Sequence, residues 1–170
     1  MVSTADGSGS AERAPDEWNL PGLDPSAPIE RLALKLLATR EHSRRELARK
    51  LGARGFDPAL VDGVMDRLIR AGALDESRLA EHYVAERSGK GFGPLRIRAE
   101  LWEKGLAEDL FDPYLDALAA DWPDYLAAAY ERRFGPGQPV DRADYARRAR
   151  FLEQRGFPPE MIRRYLRWND

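Results

Sequence analysis

Leu51-Gly52-Ala53-Arg54-Gly55-Phe56, Leu101-Trp102-Glu103-Lys104-Gly105-Leu106 and Leu152-Glu153-Gln154-Arg155-Gly156-Phe157 are three copies of one pattern: Leu-x-x-x-Gly followed by an apolar residue. The glycines lie 50 and 51 residues apart. After each glycine the same apolar grid returns: Leu60, Val61, Val64 and Met65; Leu110, Phe111, Tyr114 and Leu115; Met161, Ile162, Tyr165 and Leu166. Steps of one, three and four residues mark one face of a helix. A long period with helical spacing inside each copy predicts stacked helical units in an all-α repeat protein.

Outward from these copies the chain reads as helix after helix. Residues 29–39 carry apolar side chains at 29, 32, 33, 36 and 37, a helical stripe. Ser43-Arg44-Arg45-Glu46 is a capping box that opens a second helix, which closes at Gly55, where glycine takes the left-handed conformation. Asp57-Pro58 opens a third, running to Ala71 and stopped by Gly72. The second unit repeats the order: a helix capped by Asp75, a Gly-rich link at 89–93 that reads as a flexible hinge, a helix from Pro94 to Gly105, and a helix over 107–120. The third has helices from Asp121 to Phe134, over 141–155 and over 158–168, with a break at 135–139. The expectation is three tandem three-helix repeats, helix-turn-helix-like, at 29–72, 73–120 and 121–170. A unit this short buries too little apolar surface to stand alone, so neighbours must share theirs in an elongated, curved array.

Residues 1–28 read as a disordered acidic and polar tail. Eleven of them are Gly, Pro or Ser, and they hold five acids against one base. Trp18, Leu20 and Leu23 are a short docking motif or simply part of that extension. There is no cysteine, hence no disulfide or thiolate metal site, which favours a reducing, cytoplasmic setting. No signal peptide and no membrane segment are expected.

The net charge of −2 hides a sorting of charge along the chain. Residues 29–170 carry a net of +2; 40–54 hold six bases against two acids, 132–170 ten against five, and 108–126 six acids and no base. This is not the balance of a dedicated nucleic-acid binder. Sorted charge marks faces complementary to a partner, or solvated helix surface.

Catalytic patterns do not emerge. His42 and His82 lie on different helices without metal-ligand spacing, His42 as an exposed loop residue and His82 as a surface position. The 89–93 link lacks the order of a phosphate loop, though Lys90 and Phe92 there are candidates to touch a partner. Asp109, Asp112 and Asp116 read as helix surface or as cation ligands. The expectation is no enzyme, no metal and no cofactor. Binding chemistry is better supported, because the second helix of every unit is basic. Arg44, Arg45, Arg49, Arg96, Arg98, Lys104, Arg147, Arg148 and Arg150 are the candidate contacts to protein or DNA, forming a spaced basic track if the units stack regularly. Arginine outnumbers lysine 23 to 4, which suits bidentate contacts to phosphate or carboxylate or reflects a GC-rich genome. Reversing Arg96 and Arg98 to Glu is expected to weaken partner binding and leave helical content unchanged.

The most specific stretch is Asp75-Glu76-Ser77-Arg78-Leu79-Ala80-Glu81-His82-Tyr83-Val84-Ala85-Glu86-Arg87, followed by Gly91 and then by Arg96-Ile97-Arg98-Ala99-Glu100-Leu101-Trp102-Glu103-Lys104-Gly105-Leu106. It resembles the RecX family of bacterial recombination regulators, whose pattern there is an acidic pair, Arg-Phe-Ala, Tyr-Val, Gly, Arg-Ile, Glu-Leu and Lys-Gly-Ile. Leu79 stands where phenylalanine is usual and Leu106 where isoleucine is usual. The first unit, with Ser43, Glu46-Leu47 and Leu51, is similar to the family's opening. The likeness covers residues 29–120 and extends more loosely to the end. It implies three tandem three-helix repeats lying in the helical groove of a RecA–DNA filament. It further implies restraint of filament growth, ATP hydrolysis, strand exchange and SOS-repressor self-cleavage, by a cytoplasmic monomer with no membrane partner. The alternative is a helical DNA-binding protein that acts without RecA on single- or double-stranded DNA.

Overall fold

The computed structural model describes residues 24–167. The tail expectation over 1–23, with Trp18, Leu20 and Leu23, and the helix end at Trp168 lie outside the described residues. Nine α-helices and no strand occur among those described: α1 Ala27–Leu37, α2 Arg44–Gly52, α3 Pro58–Arg70, α4 Glu76–Gly89, α5 Pro94–Glu103, α6 Glu108–Ala117, α7 Trp122–Phe134, α8 Arg142–Arg155 and α9 Pro159–Tyr165. They associate as α1–α3, α4–α6 and α7–α9, each helix of a triplet packing on the other two.

The start signals act as written in the sequence. The Ser43 hydroxyl accepts from the Glu46 amide at 3.1 Å while the Glu46 carboxylate accepts from the Ser43 amide at 3.1 Å, closing the capping box. Asp57, Asp75 and Asp141 cap α3, α4 and α8 through the amides of Ala59, Arg78 and Asp144. Gly55, Gly105 and Gly156 all take positive φ, at 83°, 85° and 89°, so the repeated glycine is a backbone requirement. The grid after it repeats in burial as well. Val61, Phe111 and Ile162 are buried, as are Met65, Leu115 and Leu166, while Leu60, Leu110 and Met161 are half-buried.

Three boundaries differ from expectation. α1 begins at Ala27, inside the stretch read as tail, because Ser26 is anchored. The Asp24 carboxylate accepts from the Ser26 amide (2.9 Å) and hydroxyl (2.7 Å), and Arg67 of α3 donates to that hydroxyl at 2.7 Å. α6 stops at Ala117, with Pro113 removing one of its backbone donors. α9 stops at Tyr165.

The units do not all join in the same way. Units two and three share one continuous core, with Ile97, Phe111, Leu126, Tyr130, Leu152 and Phe157 among its fully buried members. Unit one closes its own core around Ile29, Leu47, Leu51, Val64 and Met65. Its junction with unit two is polar: the Ser43 hydroxyl donates to the Lys104 carbonyl (2.6 Å), the Arg44 amide to Glu76 (2.8 Å) and the Lys104 ammonium to Glu46 (2.8 Å). Arg78 closes the same seam through a fork on Glu41.

His42 is also different. It is fully buried at this seam rather than exposed. Its Nδ1 donates to the Arg40 carbonyl at 2.9 Å, which leaves Nε2 to accept from the Lys50 ammonium at 3.0 Å. Burial, reinforced by the charges of Arg40 and Lys50, holds its pKa below the usual 6.5, against the opposing pull of the Arg40 carbonyl and Glu46. The 89–93 link is likewise no open hinge. Gly91 and Gly93 are buried, and Phe92 lies under the guanidinium groups of Arg87 (3.6 Å), Arg155 (4.7 Å) and Arg96 (4.9 Å).

Gly55 and Gly156 have nearly the same φ, yet a Cβ on Gly55 meets nothing within 4 Å while one on Gly156 falls 2.3 Å from the Arg96 Cβ. Gly55→Ala is therefore expected to cost about 1–2 kcal/mol, the left-handed penalty alone. Gly156→Ala should cost roughly 1–3 kcal/mol more, the overpacking contribution, read as the difference in urea midpoints. For His42 the unfolded chain takes up a proton near pH 6.5 and the folded chain resists it. Its stabilising share is full above that pH and drains away as pH falls through the lowered folded value. Urea titrations between about pH 7 and pH 5 should show this loss, and His42→Gln should flatten it.

Candidate partner-binding surface

The second helices of the three units, α2, α5 and α8, are joined end to end. At the C-terminus of α8 the carbonyls of Arg155 and Gly156 accept from the amides of Gly93 (2.7 Å) and Leu95 (3.0 Å), which open α5. The Gly93 N-cap has no side chain with which to satisfy this helix start, so the neighbouring unit supplies the acceptors. The positive end of one helix dipole meets the negative end of the next. The approach is close enough that a Cβ on Gly93 would lie 2.4 Å from the Gly156 carbonyl oxygen. The C-terminus of α5 meets the start of α2 in the corresponding way. There Ser43 donates to the Lys104 carbonyl, and a Cβ on Gly105 would lie 2.6 Å from the Arg45 Cδ. Repeated glycine thus fits against the first turn of the preceding unit's second helix, and the basic helices stand in series.

The nine cations expected on this track divide by partner. Arg44 pairs with Asp66 (2.7 Å) and Asp62 (3.3 Å), Arg98 with Asp112 (2.6 Å) and Lys104 with Glu46 (2.8 Å). Arg148, only 11% exposed, is held by Asp144 (2.8 Å), the Gly137 carbonyl (2.6 Å) and the Tyr130 hydroxyl. Arg96 is shared between Glu100 (3.0 Å) and the Gln154 carbonyl (3.0 Å), and Arg147 leans on Asp144 at 2.5 Å but remains largely exposed. Arg45, Arg49 and Arg150 are exposed and, among the described residues, have neither an ion pair nor a hydrogen bond.

Carboxylates that the motif reading passed over organise the paired group. Burial acts to raise the pKa of Glu46, but hydrogen bonds from Lys104, the Ser43 amide and Arg40 outweigh it and hold the group at about 2. Glu100 shows the same balance: Arg87, Arg96 and the Tyr83 hydroxyl together overcome burial and keep its pKa low. Tyr83, half-buried beside that carboxylate, is pushed up to about 12 by desolvation and by Glu100. Arg148, Arg147 and the Val140 amide hold Asp144 at about 2. Asp112, read as possible cation ligand, is bound to Arg98 instead. His82 is on the surface, as expected. No helix among the described residues is long and apolar enough to cross a membrane, and no group of three or more His, Asp or Glu side chains there is arranged to hold a metal.

At the first joint Arg45 and Arg49 border a hollow of about 480 Å³, lined also by Glu46, Tyr83, Glu100, Glu103 and Lys104. Two further free arginines, Arg132 and Arg133, stand at the end of α7. Attention to the second helices alone missed them, although the adjacent pair in a last helical turn was visible in the chain.

Comparison with known proteins gives this frame its family. The model of the RecX first three-helix domain matches residues 31–68, that of the second 75–113 and that of the third 124–166. The chain is 46% identical over 138 residues to Regulatory protein RecX of Halorhodospira halophila (strain DSM 244 / SL1), covering 81% of this chain and 86% of that one. It is 44% identical over 144 residues to Regulatory protein RecX of Pseudomonas savastanoi pv. phaseolicola (strain 1448A / Race 6), covering 85% and 93%. Among solved structures it shares its fold with RecX from Lactobacillus salivarius at a TM-score of 0.66 and 18% identity, covering 81% of this chain and 91% of that one. A second crystal structure of regulatory protein RecX superposes with a TM-score of 0.67 at 21% identity, covering 83% and 70%. With all three three-helix domains matched and relatives above 40% identity along most of the chain, the protein belongs to the RecX family.

Proposed function

We propose that this protein is a non-catalytic, cytoplasmic, monomeric regulator that binds the RecA–single-stranded DNA filament. On this reading it inhibits RecA ATP hydrolysis, strand exchange and co-protease activity, and so tempers recombination and the SOS response. The observation that carries the reading is the end-to-end series α2–α5–α8 in a chain of this family. At 1.5 Å per residue the three helices provide about 50 Å of length, more than the roughly 30 Å diameter of a small domain. The unpaired guanidinium groups of Arg45, Arg49 and Arg150, with the exposed Arg147, are the contacts we assign to the partner. Paired cations at Arg44, Arg98, Lys104 and Arg148 hold the frame in register. Arg96 does both, through Glu100 and the Gln154 carbonyl.

The division changes which substitution is informative. Reversing Arg96 and Arg98 sets new carboxylates against Glu100, Glu108 and Asp112, so loss of binding would be mixed with loss of fold. Arg98→Glu is expected to lower stability by about 1 kcal/mol, a partly solvent-screened pair, as read by urea unfolding. Arg45→Glu with Arg49→Glu breaks no internal ion pair or hydrogen bond, and because it sets new carboxylates in the hollow with Glu46, Glu100 and Glu103 its stability is measured alongside by urea unfolding. The decisive assay is DNA-dependent ATP hydrolysis by the cognate RecA on single-stranded DNA, with this protein titrated in below the RecA concentration. Inhibition at substoichiometric ratios is expected, and the Arg45/Arg49 double reversal should require at least about tenfold more protein, a loss of roughly 1.4 kcal/mol. Undiminished hydrolysis at equal concentrations, with RecA shown to be active, would overturn the reading.

A further inference from the structure

The outer face of α5 carries apolar surface that the core does not use. Among the described residues, Leu95 (51% exposed) and Trp102 (49%) are two of five large apolar side chains left open to solvent. They lie seven positions apart on one side of the helix, with exposed Ala99 between them. The stripe is about 10 Å long at 1.5 Å per residue. Trp102 rests edge to face on Phe111 of α6, at 6.5 Å. The repeat register gives this stripe its setting. Counted from the shared leucines Leu51, Leu101 and Leu152, its three positions fall on Arg45, Arg49 and Gly52 in α2. In α8 they fall on Ala146, Arg150 and Glu153. All nine are exposed. Because α8 meets α5 and α5 meets α2 end to end, the apolar stripe lies between Arg150 on one side and Arg45 and Arg49 on the other.

An exposed apolar stripe with charge beyond its ends has the anatomy of a protein interface, apolar at the centre and polar at the rim. The flanking charge selects the partner. Arg45, Arg49 and Arg150 have no ion pair among the described residues, and Glu153 is the one acid among the nine equivalent positions. Beside the stripe itself the cations are engaged, Arg98 by Asp112 (2.6 Å) and Arg96 by Glu100 (3.0 Å), and the exposed Glu103 borders Trp102. The complement is therefore a surface with apolar side chains in the middle and carboxylates beyond them. A nucleic-acid strand fits this poorly, since its phosphates would cross the stripe and pass Glu103 with no unpaired cation beneath them. A second copy of the chain fits poorly too. Two-fold pairing of α5 on α5 sets arginines against arginines beyond the stripe.

We infer that Leu95, Ala99 and Trp102 form a docking surface for a protein segment that presents apolar side chains with carboxylates beyond them, Arg45, Arg49 and Arg150 receiving the acids. This rests on the filament reading above and adds the chemistry of the face that is met: the segment belongs to the filament's protein and not to its DNA. The test is co-sedimentation of the full chain with cognate RecA assembled on single-stranded DNA. Leu95→Gln with Trp102→Gln should weaken binding at least about tenfold. Leu34→Gln with Ile69→Gln removes side chains of similar exposure (45% and 44%) from α1 and α3, and should leave binding unchanged. The loss at α5 should persist at about 0.5 M salt, where the deficit of the Arg45/Arg49 reversal shrinks through screening. Trp102 also covers Phe111, so Ala99→Glu supplies a second variant. It sets a carboxylate in the middle of the stripe at an exposed position and should weaken binding as strongly. Undiminished binding by both α5 variants, or equal loss from the Leu34/Ile69 pair, would overturn the proposal. So would a matching loss of affinity for the naked strand, which would make the face a nucleic-acid contact. Self-association of the native chain in sedimentation velocity that Ala99→Glu abolishes would also overturn it, by assigning the face to a second copy. If the native chain fails to bind the filament, the filament reading and this proposal fall together; if the native chain binds and the α5 variants bind equally, this proposal falls alone.

Discussion

The contact between the Gly156 backbone and the first turn of α5 is the constraint on which the remaining architecture depends. A helix start without a side-chain cap leaves amides that must find acceptors. Here the acceptors are the last carbonyls of another helix, brought within hydrogen-bonding distance because neither Gly93 nor Gly156 carries a Cβ. That contact fixes the position of unit three on unit two. It brings Arg155 and Arg96 over the Phe92 ring, and it joins the end of α8 to the start of α5. The equivalent contact at Gly105 is made against the Arg45 side chain, where Gly93 and Gly156 meet backbone, and a Ser43 hydroxyl bond to the Lys104 carbonyl crosses it. Two cores follow from the difference: one shared by units two and three, and one belonging to unit one.

Charge in this protein does two kinds of work, and only partners distinguish them. Carboxylates at Glu46, Glu100 and Asp144 each gather several donors and are held strongly ionised. They turn neighbouring cations into fasteners between helices and units. Cations without an ion pair, Arg45, Arg49, Arg132, Arg133 and Arg150 among them, are the charge available to a partner. A modest net charge is therefore compatible with local attraction wherever unpaired cations adjoin, because many of the other cations are neutralised internally.

Much of the fold was legible in the chain because its signals are local. A glycine that needs positive φ, a capping box at Ser43 and an apolar grid at helical spacing act within a few residues, and all appear in the structure. What escaped depends on residues far apart. His42 reads as a loop histidine until Lys50 and the seam with unit two enclose it. Gly89–Gly93 reads as a hinge until Gly156 is set against it, more than sixty positions later. Ser26 reads as tail until Arg67 reaches back to it. The basic character of the second helices was legible, but not which of their cations were engaged. Arg98 and Arg148 look like Arg49 in the sequence and differ through partners, Asp112 and Asp144 foremost. Arg132 and Arg133 were overlooked because they lie outside the repeated helix.

Glycine-mediated joints make three small units one frame. The absence of native cysteine makes this directly measurable, since labels can be placed at Lys35→Cys in α1 and Glu160→Cys in α9 without side reactions. Pulsed electron spin resonance on that doubly labelled chain should give one narrow distance distribution, which Gly156→Ala broadens. A broad or multiple distribution in the otherwise native chain would contradict the account, because the units would then be beads on a string and not a frame.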